Sequence, residues 1–119
     1  MKLAISAKGN DKTSELDPRF GRAAHFVVVD TDTGESTAHD NAQNLNAMQG
    51  AGIQAGQAVI GLGVDAVITG HVGPKAFQTL RAGGVRVFLA EAGTVGDALK
   101  AFQAEQLNEV SGADVPGHW

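Results

Sequence analysis

The sequence predicts an α/β fold: a mixed five-stranded sheet with helices on both faces. Three observations predict it. Phe26-Val27-Val28-Val29 is an unbroken apolar, β-branched run, as expected of a strand buried on both sides. Thr31-Asp32-Thr33-Gly34-Glu35 follows with the Asp and Gly content of a hairpin turn, so the early strands pair antiparallel. After residue 50, apolar residues at helical spacing alternate with short strand-like runs, which implies parallel pairing through right-handed crossovers.

Each element has its own reason. Lys2 to Ala7 reads as the first strand, with Leu3 and Ile5 facing one way. Lys8 to Glu15 is polar and turn-rich, and Asp17-Pro18-Arg19-Phe20-Gly21-Arg22 is a compact turn. Ala24 to Asp30 is the second strand, and Glu35 to Asp40 is a weakly apolar edge strand returning from the hairpin. Asn41 to Gln49, rich in Asn, Gln and Ala, reads as a loop. The first helix begins between Gly50 and Gly52 and runs to Ile60 or Leu62, with Ile53, Gln57 and Ile60 on one face and Ala55, Val59 and Leu62 extending the apolar surface. Its glycines make it a poor helix in isolation, so packing must hold it. Ala66 to Thr69 is the fourth strand. The second helix runs from Pro74 to Arg81, and Gly83-Gly84 stops it. Val85 to Ala90 is the fifth strand. Thr94 caps a third helix that carries Val95, Ala98, Leu99 and Phe102 and fades after Leu107. Residues 1–107 then form one domain, and 108–119 a polar tail.

At 119 residues the chain is long enough for one core and too short for two. Its net charge of −4 argues against a nucleic-acid or anionic-membrane surface role. No run reaches the ~20 apolar residues of a membrane span, and the polar start is unlike a secretory signal. The expected location is the cytoplasm. The chain has no cysteine, which excludes disulfides, thiolate metal sites and thiol nucleophiles. No GxSxG, Walker, HExxH or strand-linked GxGxxG motif is present.

The sharpest local signal is Ala66-Val67-Ile68-Thr69-Gly70-His71-Val72-Gly73-Pro74-Lys75. A strand that runs through a Gly-containing turn into a helix start gathers unpaired N–H groups and the positive end of the helix dipole. His71 and Lys75 add donors beside it, and Lys75 runs against the dipole unless an anion sits in front. Arg19 and Arg22 lie three apart in a turn, where they serve either as solvated charge or as anion contacts. In an open α/β sheet, ligands sit beyond the C-terminal strand ends. Those ends are residues 8–22, 41–52, 70–75 and 91–94. His25 opens an apolar strand and reads as structural, His39 is open either way, and His118 lies in the tail. Asn41, Asn44 and Asn46 read first as turn formers, and Met48 as core filler or a soft contact.

Taken in order, Phe20-Gly21-Arg22-Ala23, Val29-Asp30-Thr31-Asp32-Thr33-Gly34-Glu35, Gly50-Ala51-Gly52-Ile53-Gln54-Ala55, Gly63-Val64-Asp65 and Gly70-His71-Val72-Gly73-Pro74-Lys75-Ala76-Phe77 resemble the dinitrogenase iron–molybdenum cofactor-binding family. That family includes NifX-type carriers and the C-terminal domain of NifB-type proteins. A short, single-domain, cysteine-free chain looks most like its orange-protein branch, which binds a mixed molybdenum–copper sulfide cluster non-covalently. The resemblance implies a ribonuclease-H-like fold and no enzymatic activity. It also implies a carrier for an anionic metal–sulfide cluster, of molybdenum–copper or iron–molybdenum type. Such a cluster brings its own sulfides and asks the protein for N–H donors, cationic side chains and apolar walls. Arg19, Arg22, Asn44, Met48, Gly50, Gly52, Gly70, His71, Gly73 and Lys75 are the expected cluster-binding residues, with His39, Met48 and His71 the candidates for direct metal ligation. The resemblance also admits a regulatory domain partnering a ParA/MinD-type ATPase. The Gly-rich helix start alone admits an enzyme acting on a phosphorylated small molecule.

Overall fold

A computed structural model describes residues 1–41, 51–91 and 93–112. The chain forms β1 (Lys2–Ala7), β2 (His25–Asp30), β3 (Ser36–Asp40), α1 (Ala51–Gly61), β4 (Ala66–Thr69), α2 (Pro74–Ala82), β5 (Arg86–Leu89), α3 (Val95–Gln103) and β6 (Asn108–Glu109). The strands make one mixed sheet in the order β3-β2-β1-β4-β5-β6. Strands β1, β4 and β5 are parallel, with Leu3 opposite Ala66 and Val67 opposite Val87. The β2–β3 hairpin adds antiparallel strands on one side, with Ile5 opposite Val27 and Phe26 opposite His39.

Alternation explains the apolar runs. Ala4, Phe26, Val28, Val67 and Val87 point to one face, where Ala55 and Val59 of α1 and Ala76, Phe77 and Leu80 of α2 cover them. Leu3, Ile5, Val27, Val29, Ala66, Ile68 and Phe88 point to the other, under Val95 and Ala98 of α3. Both faces of the central strands are dry, so their sequences lack the polar half of a period-two pattern.

The α/β class and the helices on both faces are as expected, but among the described residues the sheet has six strands, not five. The sixth pairs Asn108 with Leu89 and Glu109 with Phe88, antiparallel. Two exposed polar residues carry no strand pattern, so the sequence hides this strand, and the sheet runs past the expected domain end at residue 107. The third helix stops at Gln103 rather than near Leu107, because Glu105 takes a positive φ of 59°. In α1 the buried stripe includes the expected Ala55 and Val59, joined by Ala51 and Gly56 rather than by Ile53 and Gln57. The cause is close approach to α2: a Cβ on Gly52 would lie 2.9 Å from Ala76 Cβ, and one on Gly56 would lie 3.0 Å from Thr79 Cγ2.

Candidate functional site

Strands β1, β3, β4 and β5 all point the same way, so their C-terminal ends share one end of the sheet. The chain leaves β1 toward β2 and leaves β4 toward β5. The gap between β1 and β4 is therefore the topological switch point, where open α/β sheets bind ligands.

Two turns meet there. Residues 17–22 follow β1, and residues 70–73 follow β4. Arg19 and His71 form an isolated parallel bridge, and Phe20 N donates to the His71 carbonyl at 3.3 Å. A β-type contact thus joins the loop of Arg19 and Arg22 to the loop of His71. Gly70 makes the approach possible: a Cβ there would lie 2.6 Å from Pro18 Cα and 2.8 Å from the Pro18 carbonyl oxygen. Phe20 is fully buried, with its ring 5.3 Å from that of Phe26.

The turn is pinned along its length. Buried Asp17 accepts from Arg19 N at 3.0 Å and lies 3.6 Å from Arg19 Nε. Ser6 Oγ lies 2.6 Å from the Asp17 carbonyl oxygen and 2.8 Å from Thr69 Oγ1. On the far side of Arg22, the Asn41 amide donates to the Ala23 carbonyl at 2.9 Å and the Gly21 carbonyl at 3.4 Å.

Among the described residues no side chain caps the adjoining N-terminus of α2. Gly73 occupies the cap position, Pro74 the first turn, and no acidic residue follows. Lys75 is exposed there. The N-terminus of α3 is different. Thr94 and Asp97 form a reciprocal capping box, and Val95 N and Gly96 N donate to the carbonyls of Ser14 and Lys12. The donors from Thr94 hold the Asp97 carboxyl below its ordinary value. The depression on that side of Pro18 carries Glu15 and Glu91 with one lysine, Lys8, itself 3.2 Å from Glu15.

The structure brings Arg19, Gly70 and His71 together and sets Gly73 and Lys75 next along the chain. Arg22 sits in the pinned turn. Gly52 faces Ala76 at the helix–helix contact. His39, on β3, shares the same sheet end and lies 3.2 Å from Thr37 Oγ1 through Nε2. Asn44, Met48 and Gly50 lie outside the described residues. Among the described residues no group of three His, Asp or Glu is arranged to hold a metal ion. Sequence reasoning missed the supports Ser6 and Thr69, and read Asn41 only as a turn former. Their signal was a polar residue at the buried end of a strand.

The family described as dinitrogenase iron–molybdenum cofactor matches residues 1–105. The chain belongs to that family. Among solved structures, the apo form of the orange protein from Desulfovibrio gigas is 40% identical, with a TM-score of 0.93 over 96% of each chain. A candidate NifB protein from Thermotoga is 34% identical, with a TM-score of 0.85 over 98% of each chain. An uncharacterised protein of Methanocaldococcus jannaschii is 29% identical over 92% of this chain and 91% of its own. These relatives give no support to a ParA/MinD-type ATPase as partner. Among the described residues no helix is long and apolar enough to cross a membrane.

Proposed function

We propose that this protein is a non-enzymatic carrier of a preformed anionic metal–sulfide cluster, held without covalent bonds at the β1–β4 end of the sheet. The observation that carries the reading is the Arg19–His71 bridge beside the uncapped N-terminus of α2. Two loops far apart in sequence are clamped beside a helix start; they carry Arg19, Arg22 and His71, with Lys75 next along the chain. That suits a multiply charged anion. The donor set fits a cluster that arrives with its sulfides in place, because the chain has no thiolate to contribute.

Family membership and the likeness to the orange protein support a molybdenum-containing cargo. We assign a molybdenum–copper sulfide cluster first and an iron–molybdenum type second. Arg19, Arg22, His71 and Lys75 supply charge and hydrogen bonds, and the backbone of Gly70 and Gly73 allows close approach. Gly52 lies near the start of α1. Asn44, Met48 and Gly50 belong to the segment between β3 and α1, whose flanks Asn41 and Ala51 are both buried. His71, His39 and Met48 are the candidate direct ligands. The order β3-β2-β1-β4-β5 supports a ribonuclease-H-like description of the fold. Fold likeness carries no nuclease activity with it.

The test is reconstitution with tetrathiomolybdate and a copper salt, followed by gel filtration, metal analysis and a visible spectrum. Coloured protein retaining molybdenum and copper is expected. Colourless protein stripped of both metals overturns the molybdenum–copper assignment.

A further inference from the structure

The turn that carries Arg19 and Arg22 is tied to β4 through a buried side-chain relay. Ser6 and Thr69 are both fully buried, at the C-terminal ends of neighbouring parallel strands. The Asp17 carbonyl can only accept a hydrogen bond, and a hydroxyl has one proton to give. Ser6 therefore donates to Asp17, and Thr69 donates to Ser6 Oγ. The relay crosses from β4, through β1, into the first residue of the turn. Two residues further on, the same turn meets the loop that follows Thr69, at the Arg19–His71 bridge.

We infer that Ser6 and Thr69 are positioning residues for the anion site, fixing the register of the Asp17–Arg22 turn against His71. This rests on the carrier reading above and deepens it. Neither hydroxyl touches the cargo. Their effect passes through the turn that carries Arg19 and Arg22, whose backbone is seated on the residues after β4. An apolar pair would fill the same space, but it would leave the Asp17 carbonyl buried without its donor. The turn would then lift toward water.

The experiment uses Ser6→Ala, Thr69→Val, Thr69→Ser and the double variant Arg19→Ala/Arg22→Ala, in the full chain. The probe is tetrathiomolybdate with copper. Ser6→Ala and Thr69→Val are expected to weaken binding about three- to tenfold, and Thr69→Ser to restore it. In the Arg19→Ala/Arg22→Ala background, Ser6→Ala should add no further loss. Amide exchange of the metal-free protein gives a second readout. The Phe20 amide should exchange faster in Ser6→Ala, while the Asp65 amide, bonded to Lys2 at the opposite end of the sheet, should not. Additive losses, or a Phe20 amide no faster than wild type, overturn the positioning role. If Ser6→Ala does not fold, Thr69→Val decides by the same two readouts. Failure of the wild-type chain to bind the probe overturns the molybdenum–copper assignment alone, and the exchange measurement still decides whether the relay seats the turn.

Discussion

Arg22 is fixed by its neighbours, because the Asn41 amide holds the carbonyls on both sides of it. Lys75 is exposed at a helix start that its own charge disfavours. Neither side chain belongs to the apolar core. Arg22→Ala and Lys75→Ala should each weaken cluster binding about tenfold, as expected when one charge-assisted hydrogen bond is lost. Far-UV circular dichroism should stay that of wild type. If both variants bind with wild-type affinity, the site lies on another face. His71 has two roles to separate. His71→Ala should weaken retention, whereas His71→Gln keeps a donor and discards a good soft-metal ligand. Near-normal binding in the glutamine variant identifies hydrogen bonding, and loss in both variants identifies ligation.

At the level of elements, the two faces of the sheet should respond separately. Thr94 caps α3, whose helix covers the face away from α1 and α2. Thr94→Ala should cost about 1 kcal/mol of stability in a denaturant titration. It should leave cluster binding unchanged. The capping box also sets a pH response. Thr94 holds the Asp97 carboxyl below its unfolded value, so the contribution is complete above that value and is lost as pH falls through the carboxylate range. Asp97→Asn should therefore lose less stability on acidification than wild type. Gly70→Ala acts on the other side. Its methyl group would meet Pro18 backbone, so the turn must shift, lowering both the thermal midpoint and cluster retention.

These elements also show what the sequence could reveal. The central strands were legible because Phe26–Val29 and Ala66–Ile68 are dry on both faces, and α3 because Thr94 is a good cap. The end of the sheet was not. Asn108 and Glu109 pair by backbone alone, which leaves no side-chain pattern. The small buried stripe of α1 reflects contact with α2, a tertiary fact. In the site, Gly70, His71, Lys75 and the arginines stood out by type. Ser6 and Thr69 did not, because their value lies in a contact between residues remote in sequence.

Over the whole molecule the net charge is −4, yet the proposed site is cationic. Attraction to an anion must therefore be local, working over roughly the 10 Å screening length of 0.1 M salt. Cluster affinity should fall as salt is raised, and less steeply in Arg22→Ala than in wild type. Equal slopes would mean that Arg22 contributes no charge to binding.

The β1–β4 pairing also dictates when the protein becomes competent. Ser6 and Thr69 meet across 63 positions of chain. Both arginines leave the ribosome early, whereas His71 and Lys75 emerge much later. Nothing resembling half a receptor exists in between, because the first turn has no β4 to seat on. On the carrier reading, loading must therefore wait for completed folding, and a chain cut short before Ala66 is expected not to bind the cluster. The long-range closure that slows such a topology also acts as a checkpoint, since only finished molecules can pick anything up.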